Sequence, residues 1–273
     1  MKRVLVIVVT HNGMHWLDRC LGSVSQDADL FVWDNDSTDG SADFVAASYP
    51  QAHLVRSAKN LGFAAPNNAG MQYALDHGYD YVYLLNQDAW LESGALQTLL
   101  AASEANPDFA VLSPLQMTDG YKDLDDNFKE ILRCAQNDSV KRVMAAHWLV
   151  PVSAIKKIGL FEQELFPMWG QDDDWCNRAR YKGYKIGVVT DARAVHDRQY
   201  REEPKEKLVK RNYYIGSLVR LCDINRPLWE RFLYVCLFTL VKTVKYRSTL
   251  PLKYFRTICA QLPEVKEHRK NCR

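Results

Sequence analysis

The feature that most constrains the fold is a regular alternation of apolar runs and helix-like segments in residues 1–115. Residues 3–9 form a nearly continuous apolar run, as a strand buried on both faces requires. Further strand-like runs lie at residues 29–33, 52–56, 81–85 and 109–113, with helical spacing between them. This β-α-β-α order predicts an α/β fold, with a mostly parallel sheet flanked by helices.

Polar residues stand where several of these strands end, and ligands of such sheets bind beyond the carboxyl ends of the strands. The candidates for a nucleotide pocket there are Thr10, Asn12, Asp34, Asn35, Asn86 and Gln87. The turn after the first strand lacks the G-x-G-x-x-G pattern, which disfavours a nicotinamide enzyme. Ordinary turn chemistry is the alternative for Asn12, which precedes a glycine.

A divalent metal is a second way to hold a nucleotide diphosphate. Mg²⁺ and Mn²⁺ prefer oxygen ligands and sit between a carboxylate and substrate phosphates. Asp88 follows the fourth strand, and His196 ends a late strand-like run, so they are the candidate metal ligands. The alternatives are a turn cap for Asp88 and a structural histidine for His196.

The densest acidic cluster is residues 172–174, at the start of a predicted helix over residues 171–182. Acids in the first turn of a helix are stabilised by its dipole, which is the simplest explanation for one or two of them. The neighbouring Trp169 and Gly170 suggest in addition an exposed aromatic ring and a hinge. Either Asp172 or Asp174 is then a candidate general base for an acceptor hydroxyl.

Charge divides the chain into two parts. Residues 1–200 carry a net charge of −8 and residues 201–273 a net charge of +10. We therefore predict a catalytic domain over residues 1–200 and a basic, amphipathic helical extension over residues 201–273. The seven cysteines are scattered and odd in number, which favours a reducing, cytoplasmic compartment over a disulfide framework.

The extension combines aromatic and apolar residues with basic ones between residues 226 and 260. This composition is typical of a helix at the inner face of a membrane, although a solvated surface or a cap on the catalytic domain or on a second subunit would look similar. A homodimer therefore stays open. The acidic body argues against a nucleic-acid partner.

Five strings in consistent order resemble family 2 glycosyltransferases, and among them the bacterial rhamnosyltransferase-like branch. They are VVTHN (8–12), WDNDSTDGS (33–41), NLGFAAPNN (60–68), LLNQDAWL (84–91) and WGQDDDWCNRAR (169–180), and the late His196 extends the likeness. The resemblance implies a GT-A fold over residues 1–200, with a donor nucleotide half over residues 1–115 and an acceptor half over residues 116–200.

The resemblance also implies residue roles. Asp34 would bind a pyrimidine base beside Thr10 and Asn12. Asp88 and His196 would hold Mn²⁺ or Mg²⁺ at the diphosphate, and Asp172 would be the base. The remaining roles are a nucleotide and sugar site shaped by Asn35, Asn60, Gly62, Asn67, Asn86 and Gln87, and an acceptor site with Trp169, Gln171 and Asp174.

Two positions depart from the family pattern. Gln87 replaces a proline, from which we expect little consequence, and Gln171 replaces a glutamate beside the candidate base. The function that follows is inverting transfer of rhamnose or another hexose from a UDP- or dTDP-sugar to a saccharide or lipid-linked saccharide in cell-surface polysaccharide synthesis. A non-catalytic carbohydrate- or nucleotide-binding module is the alternative.

Overall fold

A computed structural model of the protein describes residues 2–118, 123–133, 139–197 and 204–273. Its strands are β1 (Val4–Thr10), β2 (Asp29–Asn35), β3 (His53–Ser57), β4 (Tyr81–Asn86), β5 (Ala89–Leu91), β6 (Phe109–Met117), β7 (His147–Pro151) and β8 (Lys185–His196). They form one sheet in the order β3-β2-β1-β4-β7-β6-β8-β5.

The first half of this sheet has the predicted parallel arrangement. β1 lies between β2 and β4 and is parallel to both, and β2 is parallel to β3. The second half is mixed, because β7 is antiparallel to both β4 and β6, while β6 and β8 are parallel. β5, which was not predicted, pairs antiparallel with β8 at the edge.

Helices cover both faces of the sheet. They are α1 (Met14–Gly22), α2 (Ser41–Ser48), α3 (Ala64–Asp76), α4 (Ala95–Ala105), α5 (Asp126–Arg133), α6 (Val152–Ile158) and α7 (Gln171–Tyr181). Residues of β1 alternate between the two hydrophobic cores, with Leu5 and Ile7 in one and Val6 and Val8 in the other. Both faces of β1 are therefore buried, as its apolar run predicts.

One expectation about the second part of the sheet needs correction. Strand-like runs at residues 184–190 and 192–196 predict two strands, but these residues form the single strand β8, which shifts register against β6 between Pro114 and Leu115. The charged residues 119–141 predict a partly helical insertion, and they contain α5, while residues 119–122 and 134–138 lie outside the described residues.

The extension is helical, as predicted. It contains α8 (Lys205–Val209), a π-helical segment (Lys210–Ile215), α9 (Gly216–Cys222), α10 (Leu228–Tyr246), α11 (Leu250–Ala260) and α12 (Leu262–Asn271). These elements share a hydrophobic cluster with Leu165 and Phe166 of the catalytic half. Among the described residues, no helix combines the length and apolarity needed to span a membrane.

Candidate active site

Asp34 lies at the carboxyl end of β2 and is 4% exposed. One carboxylate oxygen, Oδ2, accepts a hydrogen bond from the Ser37 backbone N–H at 3.2 Å. The other, Oδ1, is buried and has no hydrogen-bond partner among the described residues. An unpaired buried acceptor is unfavourable, so this oxygen is suited to a donor supplied by a ligand, such as a base N–H.

Asn35 organises the segment that follows β3. Its Nδ2 donates to Asn60 Oδ1 at 2.9 Å and to the Gly62 carbonyl at 2.8 Å. Its Oδ1 accepts from the Leu61 backbone N–H at 2.8 Å. Gly62 has a left-handed φ of +78°, and a Cβ there would lie 2.5 Å from the Pro167 carbonyl oxygen. The three predicted residues Asn35, Asn60 and Gly62 therefore form one unit.

The N-terminus of α3 is bonded to the loop before α7. The Pro167 carbonyl accepts from the backbone N–H groups of Phe63 and Ala64, at 2.7 and 3.0 Å. Asn67, a predicted sugar-site residue, is 2% exposed and donates from Nδ2 to the Phe63 carbonyl at 2.8 Å. Asn67 therefore braces the first turn of this helix.

Gln87 fixes the loop after β1. Its Oε1 accepts from Thr10 Oγ1 and from the His11 backbone N–H, both at 2.8 Å, and its Nε2 donates to the His11 carbonyl. A Cβ on Gly13 would lie 2.4 Å from Gln87 Oε1. The departure from the family proline therefore gives this position a structural role, whereas we expected little consequence.

Asn12 continues this network to the loop after β2. It has a left-handed φ of 50°. Its Oδ1 accepts from the Thr38 backbone N–H at 2.8 Å, and its own N–H donates to Ser37 Oγ at 2.9 Å. The side chain of Asn12 thus fixes one wall of the predicted pocket instead of forming only a turn.

Asp88 and His196 meet beside the end of β4. His196 Nε2 lies 3.4 Å from Asp88 Oδ1 and 3.5 Å from Asn86 Nδ2. The His196 side chain is 10% exposed and that of Asp88 is 28% exposed. The Asp197 N–H donates to the Asp88 carbonyl, and Trp16 Nε1 donates to Asp197 Oδ2. These bonds hold β8 against the loop after β4.

The Asp88–His196 pair offers one oxygen and one nitrogen to a divalent cation, a donor set that Mn²⁺ accepts. His147 lies behind the pair, with Nδ1 2.9 Å from the Tyr83 hydroxyl and Nε2 3.0 Å from the Val195 carbonyl. Burial lowers the pKa of His147 to about 3, so this ring stays neutral near the pair.

Asp172 and Asp173 are both half-buried, whereas Asp174, the third acid of the cluster, is buried. Asp172 Oδ1 accepts from the Asp173 backbone N–H at 3.0 Å. Asp173 itself forms a bidentate pair with Arg142, at 2.7 and 2.9 Å. Burial, followed by the nearby Asp173 charge, raises the pKa of Asp172 to about 7. A carboxylate with this pKa can accept a proton from a hydroxyl near neutral pH.

Gln171 and Trp169 lie on either side of Gly170, the glycine that was predicted to act as a hinge. Gln171 is 5% exposed, and its Oε1 is buried without a hydrogen-bond partner in the part of the chain that the structure describes. Trp169, which was expected to be an exposed ring, is instead partly buried against the hydrophobic cluster of the extension, with Lys207 Nζ 5.8 Å from its ring centroid. Gln171 thus retains an unpaired acceptor beside the candidate base.

Asp174 differs from Asp172 in its burial, its hydrogen-bond partners and the direction of its pKa shift. It is completely buried, its Oδ2 accepts from Arg178 Nε at 2.8 Å, and its Oδ1 lies 2.8 Å from His268 Nε2. Burial raises its pKa, but the two cations outweigh that effect and hold the pKa below its ordinary value. The geometry leaves Asp172 as the candidate base and gives Asp174 a structural role.

Two links connect the segment before β7 to the surroundings of the candidate base and of the candidate metal ligand Asp88. Asn86, just before the Gln87–Asp88 turn, donates from its N–H to the Ala146 carbonyl at 3.1 Å. Arg142, on the same segment as Ala146, pairs with Asp173 next to the base. Sequence reasoning missed Arg142, because Arg142 belongs to no recognisable motif and its partner Asp173 lies on another element.

Asp174, Cys222 and His268 form a second group of side chains with metal-ligand chemistry, and their ligand atoms lie within 4.8 Å of one another. The carboxylate of Asp174 already bonds to Arg178 and His268, which supply positive charge. The group is therefore satisfied by ion pairing and does not need a metal.

This curled mixed sheet, with the candidate site at the carboxyl ends of its strands, is the GT-A glycosyltransferase fold. The mannosyltransferase PcManGT from Pyrobaculum calidifontis, in complex with GDP-Man and Mn²⁺, superimposes with a TM-score of 0.62 at 18% identity over 99% of this chain and 73% of that one. TarS 1–349 of S. aureus has a TM-score of 0.62 at 15% identity, over 85% and 69% of the chains.

The family follows from the sequence. The model of "Glycosyl transferase family 2" matches residues 5–147, more than half of the chain, so the chain belongs to glycosyltransferase family 2. The predicted family and fold are thereby confirmed. The matched residues include the ends of β1, β2 and β4, which carry the candidate donor site.

Curated relatives share modest identity. The low-salt glycan biosynthesis hexosyltransferase Agl10 of Haloferax volcanii is 22% identical over 70% of this chain and 66% of its own. The N-acetylglucosaminyl-diphospho-decaprenol L-rhamnosyltransferase of Mycobacterium tuberculosis is 30% identical over 40% of each chain. The matched region is thus two fifths to two thirds of the length of these relatives.

Proposed function

We propose that the chain is an inverting hexosyltransferase that uses a UDP- or dTDP-sugar, such as a rhamnosyl donor, and a saccharide or lipid-linked saccharide acceptor. Synthesis of a cell-surface polysaccharide is the corresponding process. The proposal depends chiefly on the Asp88–His196 pair. The two side chains lie 3.4 Å apart beside the end of β4, at the edge of the sheet where we propose that the nucleotide binds. The unpaired Asp34 Oδ1 supports a donor whose base presents an N–H, as uracil and thymine do.

The proposed reaction is a single displacement. The acceptor oxygen forms a bond to the anomeric carbon as the bond from that carbon to the diphosphate oxygen breaks, and the leaving diphosphate takes the bonding electron pair. Asp172 receives the acceptor proton. Attack opposite the leaving group inverts the anomeric centre, and positioning of both reactants lowers the entropic part of the barrier.

Asp88 and His196 would hold Mn²⁺ or Mg²⁺, and the donor oxygen and nitrogen at 3.4 Å fit a shared cation. When bound, the ion would neutralise charge that develops on the diphosphate. Asp34 would meanwhile orient the base, and Asn35 would keep the segment over Asn60 and Gly62 in place.

A donor screen with and without Mn²⁺ tests the proposal, followed by a transfer assay with saccharide acceptors. Asp172→Asn should lower transfer by about 10²- to 10⁴-fold, because the amide cannot take the proton, while donor affinity stays unchanged. Asp191→Asn, at an exposed acid of β8, is the matched control. Full transfer by the Asp172 variant would contradict the base assignment. Donor binding without transfer or hydrolysis would favour a binding module.

The extension bears an apolar stripe on α10 that supports contact with an anionic membrane. Its members are exposed at helical spacing and comprise Trp229 (70%), Leu233 (55%), Leu237 (58%), Leu240 (61%), Val241 (60%) and Val244 (77%). Basic residues at Lys242, Lys245 and Arg247 adjoin the stripe. Apolar residues flanked by cations suit the interface of an anionic bilayer, where a lipid-linked acceptor would be found.

Vesicle flotation tests this contact. The double variant Leu237→Gln/Val244→Gln should reduce binding of the full chain to anionic vesicles, and Leu252→Gln on α11 is the matched exposed control. Equal flotation of the double variant and the wild type would overturn the membrane contact. Loss of a dimer in sedimentation, without any vesicle binding by the wild type, would assign the stripe to a second copy instead.

A further inference from the structure

We propose that His268, on the C-terminal helix α12, is a positioning residue for the glycosyl transfer that holds the turn bearing the candidate base. The inference rests on the proposed role of Asp172. It concerns a residue outside the sequence motifs, and it joins the extension to the chemistry of the catalytic half.

The hydrogen-bond partners of His268 require its ring to be protonated and positively charged. Nε2 lies 2.8 Å from Asp174 Oδ1, and Nδ1 lies 3.1 Å from Glu162 Oε2. Ionised carboxylates only accept hydrogen bonds, so both ring nitrogens must carry protons. Burial opposes this charge, but the hydrogen bonds to Asp174, Cys272 and Glu162 outweigh it and raise the pKa of His268 to about 11. The ring is therefore an imidazolium at neutral pH.

Glu162 and Asp174 lie at the two ends of the segment that carries the candidate base, which is called the turn below, and its two ends are called its stems. Glu162 is on the first stem, Asp174 is on the second, in the first turn of α7, and Trp169, Gln171 and Asp172 lie between them. His268 therefore bridges the stems and fixes their separation.

Arg178 makes a parallel link between the same stems. Its Nε donates to Asp174 Oδ2, while its terminal nitrogens donate to the carbonyls of Ile158 and Leu160, both at 2.8 Å. The two cations neutralise a buried acid and tie it to the chain before the turn. Removal of His268 leaves Arg178 in place, so one of these two links to the chain before the turn remains while the other is lost.

The extension also contacts the turn at its hinge. Gly170 has a φ of +91°, and a Cβ there would lie 2.8 Å from side-chain atoms of Ile215 and Val219. The turn thus has little space to move away from the extension. A base held in this way keeps its distance to the acceptor hydroxyl, and a displacement of about 1 Å can lower a rate by about 100-fold.

The test compares His268→Gln with Glu267→Gln, an exposed neighbour on α12. His268→Gln should lower kcat for transfer by about 10- to 100-fold, while donor affinity in a nucleotide-sugar titration stays within about twofold. The lower pH limb of transfer should also shift, because movement of the turn changes the burial of Asp172. Glu162→Gln removes one arm of the bridge and should give a smaller change in the same direction.

Several outcomes would overturn the inference. One is that His268→Gln, assayed well below its melting temperature, has the same kcat and pH profile as the wild type. Another is a loss of donor affinity equal to the loss of transfer, which would indicate general unfolding. If His268→Gln does not fold, an unchanged kcat and pH profile for Glu162→Gln decides against it. Failure of the proposed function itself looks different, because the wild type would then show no transfer.

Discussion

At the residue scale, neighbours decide what each polar side chain can do. Asp172 and Asp174 are separated by one residue on the same helix, yet one is partly exposed and the other is held by two cations. Burial and the nearby Asp173 charge raise the pKa of Asp172, whereas Arg178 and His268 outweigh burial and hold the pKa of Asp174 below its ordinary value. Carboxylates with separated pKa values can take different roles within one site.

The pH dependence of transfer is a prediction at this scale. A general base works in its ionised form, and the pKa of Asp172 is raised to about 7, chiefly by burial. The transfer rate should therefore fall as the pH drops through about 7 and should level off above it. Initial rates from pH 5.5 to 8.5 at saturating donor, about one and a half pH units on either side, measure this limb. A rate that stays constant down to about pH 5.5 would exclude Asp172 as the titrating base.

At the element scale, α7 shows what a sequence pattern can and cannot fix. The helix lies where its composition predicts, from Gln171 to Tyr181, with three acids in its first turn. The sequence pattern explains these acids either by the helix dipole or by catalysis, but it cannot show which of them is buried. Burial depends on α12 and on the segment at Arg142, which approach from other parts of the chain.

Gly170 provides a prediction for the start of this helix. Gly170→Ala should lower the free energy of unfolding by about 2–4 kcal/mol, because a left-handed φ of +91° combines with overpacking against Ile215, Val219 and Phe166. Gly183→Ala is the control, since Gly183 has a φ of +85° but no heavy atom within 4 Å of a Cβ, and should lose about 1 kcal/mol. Urea unfolding measures both, and equal losses would contradict the packing part of the argument.

At the scale of the whole molecule, the catalytic half and the basic extension share a core. Leu165 and Phe166 pack with Tyr213, Leu218 and Val235 of the extension. The charge asymmetry that suggests two parts reflects surface residues, whereas this cluster and the His268 bridge join the parts inside. Charge along the chain is therefore a poor guide to which segments pack together.

Removal of residues 205–273 is the prediction at this scale. The remaining chain should lose stability, because burial of Leu165 and Phe166 contributes about 1.5–3 kcal/mol for each side chain and Asp174 would lose His268. Thermal unfolding followed by circular dichroism should show a lower Tm or aggregation. A truncated chain with the Tm of the full chain would show that the shared core contributes little.

Sequence patterns predicted the α/β class, the parallel strands β1 to β4 and the family, and they named Asp88 and His196 as candidate metal ligands, because strand periodicity and motif strings are local signals. The antiparallel position of β7, the 3.4 Å approach of Asp88 and His196, the contacts of Gln87 and the bridge from His268 to Asp174 are visible only in the folded chain. Those contacts join residues distant in the chain, and their energies depend on burial and distance, which no local pattern records.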